Sequence, residues 1–230
     1  MSLFALGDLH LSLGTDKPMD IFRGWDNYVD KIQQNWNSLV KEDDTVVVVG
    51  DISWAMHLKN TVNDFDFVNN RLNGNKIFIK GNHDYWWETK SKMDKFLLDK
   101  GFDRIKILNN NSYVVDGIAI CGTRGWINDD NEPFDQKLLN REAGRLEMSI
   151  QDGLKQGGKP VAFIHYPVIY GAEKNYYLLE VLQKYNITDC YYGHIHGAAL
   201  KKAFTGEADG INHHIVSSDC VNFTPILVKS

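Results

Sequence analysis

The chain has 230 residues, of which 43% are hydrophobic and 24% charged, and its formal net charge at pH 7 is −5. This composition is ordinary for one well-buried globular domain and excludes disordered and fibrous proteins. The negative charge disfavours non-specific nucleic-acid binding, which needs a basic surface. The sequence has neither a membrane-length apolar run nor a basic, signal-like N-terminus, so we expect no membrane contact and a cytoplasmic protein. We predict a single domain over residues 1–230.

The first half of the chain alternates predicted strands with predicted helices. Residues 46–49 are consecutive valines, and such an unbroken apolar run predicts a strand that is buried on both faces. Aromatic residues at helical spacing from Trp25 onwards predict a helix that packs against the core rather than a ligand platform. The predicted elements are strands at residues 4–7, 45–49 and 76–80, a helix carrying Trp25, Tyr28, Ile32 and Trp36, a helix carrying Leu58, Phe65, Val68 and Leu72 that is closed by Asn73-Gly74, and a helix carrying Met93, Phe96 and Leu97 that ends at Gly101.

The second half contains short strands and tight turns, which predict a second sheet with more antiparallel pairing. Cys121 and Cys190 lie in apolar strand contexts, and the chain has no Cys-x-x-Cys pair, so free thiols are predicted. The predicted elements are strands at residues 105–108, 112–115, 118–122, 161–164 and about residue 191, loops at 122–126 and 128–133, helices at about 138–150 and 176–185, and a final hairpin, suggested by Asp209-Gly210, with residues 211–216 and 223–228 as its strands.

Five of the predicted strands end in Asp, Asn or His. Because the carboxyl ends of strands are where α/β sheets bind ligands, these side chains are expected to meet. Their oxygens and imidazole nitrogens are typical ligands of divalent cations, and the glycines before them allow tight turns. The strand ends are Asp8-Leu9-His10, Gly50-Asp51, Gly81-Asn82-His83-Asp84, His165 and Gly193-His194-Ile195-His196.

This ordered series resembles the calcineurin-like metallophosphoesterases from Asp8 to His196. Each motif alone is a weak signal, whereas all of them in family order are specific. The resemblance implies a four-layer α/β/β/α sandwich of two mixed sheets flanked by helices. It also implies a phosphate-ester hydrolase with two divalent ions, and an oxygen and nitrogen ligand set without thiolate favours Mn²⁺, Fe²⁺ or Zn²⁺.

The resemblance also implies a role for each motif residue. The ligands would be Asp8, His10 and His196 for one ion and Asn82, His165 and His194 for the other, with Asp51 bridging the two. A hydroxide held between the ions would attack phosphorus. His83 would protonate the leaving oxygen, and Asp84 would orient the His83 ring. A helix-capping turn is the structural alternative for residues 82–84.

The sequence departs from the commonest family pattern directly after Asp51. Many members continue with Asp and Arg or with Tyr, whereas this chain has Ile52-Ser53-Trp54-Ala55. Trp54 cannot be a tyrosinate ligand, which disfavours the iron–tyrosinate subclass. Without that arginine, the residue that would bind the phosphate group is not identified. Arg124 is either a substitute that binds substrate or a solvated loop arginine.

Charge favours a small phosphodiester as substrate. Two divalent ions against two carboxylates and a hydroxide leave a small positive excess, which matches a singly charged diester, and no long lid insertion is evident. A phosphomonoesterase at the same site and a non-catalytic interaction scaffold with this fold are the alternatives. The presence of His83 together with all the ligands speaks against the scaffold.

Overall fold

The computed structural model describes residues 1–126 and 135–230, so the predicted loop at 128–133 lies outside the described residues. The helices are α1 (Tyr28–Leu39), α2 (Val62–Asn70), α3 (Lys90–Lys100), α4 (Gln136–Lys155) and α5 (Tyr176–Lys184), with short 3₁₀ turns at Leu58–Asn60 and Gly197–Lys202. The strands are β1 (Leu3–Leu6), β2 (Thr45–Val49), β3 (Asn75–Ile79), β4 (Ile105–Ile107), β5 (Tyr113–Val115), β6 (Ile118–Thr123), β7 (Lys159–Ile164), β8 (Ile169–Tyr170), β9 (Glu173–Lys174), β10 (Asp189–Tyr192), β11 (Gly206–Ala208), β12 (Ile211–Ile215) and β13 (Ile226–Lys229).

The strands form two large mixed sheets and one small ribbon. The first sheet has the order β13-β1-β2-β3-β4, and only β13 runs antiparallel to its neighbour. The second has the order β11-β12-β10-β7-β6-β5, with parallel pairs in the centre and antiparallel pairs at both edges. Strands β8 and β9 form the small antiparallel ribbon, and Tyr170 of β8 also makes an isolated bridge to Ala203. The predicted antiparallel character of the second sheet is therefore confirmed only at its edges.

Strand β2 shows why the molecule has four layers. Val47 and Val49 belong to the core between the two sheets, whereas Val46 and Val48 belong to the core beneath α1, α2 and α3. Side chains alternate between the faces of a strand, so the valine run fills both cores. Helices α4 and α5 cover the outer face of the second sheet through a third core. The predicted α/β/β/α sandwich is confirmed.

Two local predictions are wrong. Asp209-Gly210 joins β12 to the short strand β11, while β13 pairs with β1 in the other sheet. A turn signal fixes a reversal but not the partner strand, and β11 has no apolar alternation that would have marked it. Helix α2 ends at Asn70 with Arg71 as its C-cap, so Gly74 is part of a later turn.

The prediction of free thiols is consistent with the structure. All three cysteines are free thiols, and Cys121 and Cys190 are buried in strands of the second sheet. No helix within residues 1–126 and 135–230 combines the length and the apolar character needed to cross a bilayer.

Candidate metal centre

Backbone hydrogen bonds hold the loops after β1, β2, β7 and β10 together at one edge of the sandwich. Asp8 N donates to Gly50 O at 2.9 Å, and His10 N donates to Asp51 O at 2.9 Å. On the second sheet, Gly193 N donates to His165 O at 3.1 Å. The strand ends that were predicted to meet therefore do so through main-chain contacts as well as through their side chains.

Left-handed backbone turns direct neighbouring side chains to the same place. The φ angles are 61° at Asp8, 46° at His10, 51° at Asp51 and 72° at His194. Asp and His tolerate this region better than most residues with a side chain. In an extended strand, side chains one residue apart point to opposite faces, so these turns confirm that the motifs lie in loops.

The motif glycines are required mainly because the loops approach one another closely. A Cβ atom on Gly81 would overlap the backbone nitrogen and Oδ1 of Asp51, and one on Gly193 would lie 2.5 Å from Asp8 Oδ2. Of Gly50, Gly81 and Gly193, only Gly50 has a positive φ, at 82°. Glycine therefore makes room for the two carboxylates.

Asp8, His10 and His196 form one group of candidate ligands. His196 Nε2 lies 3.2 Å from Asp8 Oδ1 and 3.4 Å from His10 Nε2. Asp8 and His10 are buried. The donor atoms of these three side chains thus face one small volume, as the resemblance implied.

Asn82, His165 and His194 form a second group. Asn82 Oδ1 lies 2.7 Å from His165 Nε2 and 2.8 Å from His194 Nδ1. Asp51 stands between the groups, because its Oδ2 is 3.7 Å from His10 Nε2 and 3.6 Å from His165 Nε2. Asp8, Asp51 and His165 also qualify together as a metal-binding set. A carboxylate oxygen has more than one lone pair, so Asp51 Oδ2 can face both groups at once.

Burial sets the protonation of the imidazoles. It lowers the pKa of His10 and of His165, and it lowers the pKa of His194 to about 3. These rings are therefore neutral near pH 7 and keep a lone pair for a cation, as metal binding requires. Burial also raises the pKa of Asp51, with a contribution from the Asp8 charge.

His196 has a supporting carboxylate that the sequence did not reveal. Its Nδ1 lies 2.7 Å from Asp219 Oδ1, and Gly197 N donates to Asp219 Oδ2 at 2.9 Å. Burial acts to lower the pKa of His196, but the carboxylates of Asp8 and Asp219 raise it to about 10. Strand β12 also runs into polar residues, at 217–219, and this sixth strand end was the signal that could have found Asp219.

Two tryptophan rings pack against the first group of candidate ligands. Trp54 stacks on His10 with ring centroids 5.0 Å apart and lies 4.4 Å from the His83 ring. Trp25 contacts the rings of His10 and His196 edge-on, at 5.6 and 5.7 Å. Trp25 is buried, so its predicted core role is confirmed, but it lies before the start of α1 rather than on the predicted helix, and it borders the site.

His83 lies at the site, but its predicted partnership with Asp84 is wrong. His83 N donates to Asp51 Oδ1 at 2.8 Å, and its buried Nδ1 has no hydrogen-bond partner among the described residues. Burial lowers the pKa of the His83 ring. The Asp84 carboxylate accepts from Gly81 N at 2.8 Å, Ile52 N at 2.9 Å, Ser53 N at 3.3 Å and Trp86 Nε1 at 3.0 Å. These four donors occupy the carboxylate, so Asp84 fastens the loops after β2 and β3 to each other.

Arg124 is neither free in solvent nor directed at a ligand group by any contact of the described residues. Its Nη2 lies 3.9 Å from Glu142 Oε1, and its guanidinium lies 5.2 Å from the Trp126 ring centroid. The side chain is 18% exposed. The freely solvated alternative is wrong, and contact with substrate stays a prediction.

The donor set fits a divalent metal, since carboxylates, an amide oxygen and imidazoles converge where Gly81 and Gly193 leave space. The fold and the site together define an α/β/β/α sandwich whose strand ends carry Asp and His groups able to hold a metal. The family model described as calcineurin-like phosphoesterase matches residues 1–198. The chain belongs to this family of metal-dependent phosphoesterases.

Other comparisons add little to this assignment. The crystal structure of the protein of unknown function AQ665 from Aquifex aeolicus is similar over 98% of this chain and 95% of that one, with 19% sequence identity and a TM-score of 0.49. A comparison with curated proteins gives no match.

Proposed function

We propose that the protein hydrolyses a small phosphodiester with two divalent ions, Mn²⁺, Fe²⁺ or Zn²⁺, as its cofactors. The position of Asp51 carries the proposal, because its Oδ2 lies within 3.7 Å of a nitrogen from each ligand group. Asp8, His10 and His196 would hold one ion, and Asn82, His165 and His194 the other. The ions would supply an activated water and positive charge for the phosphoryl oxygens.

The side chains of the site have separate tasks in this reaction. The carboxylates of Asp8 and Asp51 would offset half of the charge of two divalent ions, and a hydroxide would offset one further unit, which would leave an excess suited to a singly charged diester. His83 donates a proton to the leaving oxygen, and the negative phosphoryl group beside it favours its protonated form against the effect of burial. Trp54 covers His10 and His83 and excludes water from that side.

The direct test loads chelator-treated protein with Mn²⁺ and measures bound metal and turnover together. We expect about two ions per chain and a higher kcat/KM for bis-p-nitrophenyl phosphate than for p-nitrophenyl phosphate. A monoester preference would favour the phosphatase alternative. Full metal loading without turnover of any phosphoester would favour the scaffold, and binding that saturates at one ion would contradict the dinuclear centre.

Two variants separate metal binding from proton transfer. Asp51→Asn should lose metal and activity together. His83→Ala should keep its metal and lose about 10²–10⁴ in kcat on a diester with a poor leaving group, and much less on a p-nitrophenyl ester. An equal loss on both substrates would remove His83 from the general-acid role.

A further inference from the structure

Four aromatic rings form a series that runs from the metal centre to the protein surface. Trp54 stacks on His10 with ring centroids 5.0 Å apart, His83 lies 4.4 Å from Trp54, and Tyr85 contacts His83 edge-on at 6.2 Å. His10 is buried, Trp54 and His83 are half-buried, and Tyr85 is 57% exposed. The series therefore reaches solvent at Tyr85, on the side of the site where His83 lies.

Tyr85 is held in a fixed position although its side chain is exposed. Its backbone nitrogen donates to His83 O at 2.8 Å. The residues on either side, Asp84 and Trp86, are buried and hydrogen-bonded to each other, and Trp86 packs edge-on against Phe65 in the core at 5.0 Å. A tyrosine on such an anchored backbone has only two side-chain torsions left to order, so its ring can bind a partner with little loss of entropy.

The position of Tyr85 relative to His83 relates it to one arm of the substrate. A single exposed aromatic residue is common on protein surfaces and needs no function. Tyr85 differs because its ring contacts His83, which donates the proton to the leaving oxygen in the proposed reaction. That oxygen must come within hydrogen-bond reach of His83, so the group bonded to it lies on the His83 side of the site. Tyr85 stands at the solvent end of this side.

We propose that Tyr85 stacks on a planar group of the leaving arm and thereby selects the substrate. Every aromatic ring and every nucleobase presents a flat face that can stack on a tyrosine ring. The proposal rests on the proposed function and narrows it: the substrate class is a phosphodiester whose leaving alcohol carries an aromatic ring or a nucleobase. Tyr85 determines specificity here, and the chemical step remains with His83 and the metal centre.

Two symmetric diesters that differ in the planarity of their rings test the assignment. Bis(2-phenylethyl) phosphate and bis(2-cyclohexylethyl) phosphate have rings of similar size and leaving oxygens of similar acidity, and cleavage of either ester bond releases the ring under test. With the Mn²⁺-loaded enzyme we expect kcat/KM to be about three- to tenfold higher for the phenylethyl diester. The difference should lie in KM, because stacking stabilises the bound substrate and the transition state alike.

Three variants assign the effect to the ring of Tyr85. Tyr85→Leu keeps apolar bulk without a planar face, so the ratio of the two kcat/KM values should fall towards one. Tyr85→Phe keeps the face and should retain the wild-type ratio. Tyr176→Leu is the matched control, because Tyr176 is 64% exposed on α5, which covers the outer face of the second sheet. A ratio of one in the wild type, an unchanged ratio in Tyr85→Leu or an equal fall in Tyr176→Leu would overturn the proposal.

Binding of analogues that cannot be hydrolysed separates this proposal from the catalytic one. In bis(3-phenylpropyl)phosphinate and bis(3-cyclohexylpropyl)phosphinate, a methylene group replaces each ester oxygen. Titrated calorimetrically into the Mn²⁺-loaded protein, the phenyl compound should bind more tightly to wild type and Tyr85→Phe, and both should bind equally to Tyr85→Leu. That pattern without turnover of either diester would reject the proposed function and leave the stacking role supported. Turnover of both diesters with equal affinity of the wild type for the two phosphinates would overturn the stacking role and leave the proposed function standing.

Discussion

The two ligand groups are supported in different ways. In the Asp219-supported half, made of Asp8, His10 and His196, a carboxylate holds His196 at 2.7 Å. In the Val49-supported half, made of Asn82, His165 and His194, the backbone oxygen of Val49 lies 3.0 Å from His165 Nδ1. Both partners fix the orientation of an imidazole.

Only one of these supports can be removed by a substitution. A side chain can be replaced, whereas a backbone carbonyl in the central strand β2 stays with the fold. A substitution at Asp219 can therefore weaken metal binding in the first half alone. Metal binding in the second half can be changed only by substitutions in its ligands or in the loops that both halves share.

Gly81→Ala should have the largest effect, because it damages both halves at once. The new Cβ would overlap the backbone and carboxylate of Asp51, so the loop after β3 must move away from the centre. We expect loss of metal binding and of turnover, together with a lower melting temperature. Gly144→Ala, in α4 with open space around its Cβ position, should stabilise the helix by ~0.5–1 kcal/mol. Normal metal binding by Gly81→Ala would show that the loops are not tightly coupled.

Metal removal should lower stability through both halves. A metal that binds only the folded protein contributes about 2.7 kcal/mol when it is present at 100 times its Kd. For a chain of this size that corresponds to roughly 5–10 °C in melting temperature. Calorimetry with and without a chelator measures the shift. An unchanged midpoint would mean that the ligand cluster holds no metal in the folded protein.

Asp219→Asn should weaken the first half selectively. Loss of a carboxylate partner behind a ligating histidine typically costs 10–100-fold in metal affinity. Asp189→Asn is the control, because Asp189 Oδ1 makes a comparable contact with His214 Nε2 at 3.1 Å away from the site. Metal titration should show one weakened and one unchanged binding step in Asp219→Asn and none changed in Asp189→Asn. Two equally weakened steps would contradict the separation of the halves.

Trp54 should give the smallest effect. Its ring contacts with His10 and His83 are each worth ~0.5–1.5 kcal/mol, so Trp54→Ala should weaken metal binding in the first half by up to about tenfold and lower kcat modestly. Trp54→Phe keeps an aromatic ring in place, so its metal affinity and kcat should stay within about threefold of the wild-type values. A larger loss of metal affinity in Trp54→Phe than in Asp219→Asn would show that Trp54 supports the first half more strongly than Asp219 does.

Much of the site could be predicted because each ligand follows a strand, and strand ends share an edge of the sandwich. The layers could be predicted as well, because the valine run of β2 indicates a strand that is covered on both faces. Asp219 was missed although polar residues follow β12, because its contact with His196 depends on how the loop after β12 meets the loop after β10. The pairing of β13 with β1 was missed because it also depends on contacts between distant parts of the chain.

The role of Asp84 shows a second limit. Its neighbour in sequence, His83, was the natural partner to expect, yet the carboxylate accepts from two loops that are far apart in the chain. Burial and the charge of Asp51 raise the pKa of Asp84 to about 7, which reflects how deeply it is enclosed. Enclosure of this kind is a property of the assembled fold.

The left-handed backbone at Asp8, His10, Asp51 and His194 sets stability against function. A left-handed conformation costs a residue with a Cβ atom about 1–2 kcal/mol relative to glycine, so the centre is assembled at positions where the functional residue is not the most stable one. A library selected only for heat resistance would enrich glycine at His10 or His194. The selected proteins would melt at higher temperature and would have lost a ligand, so engineering of this scaffold has to select for bound metal at the same time.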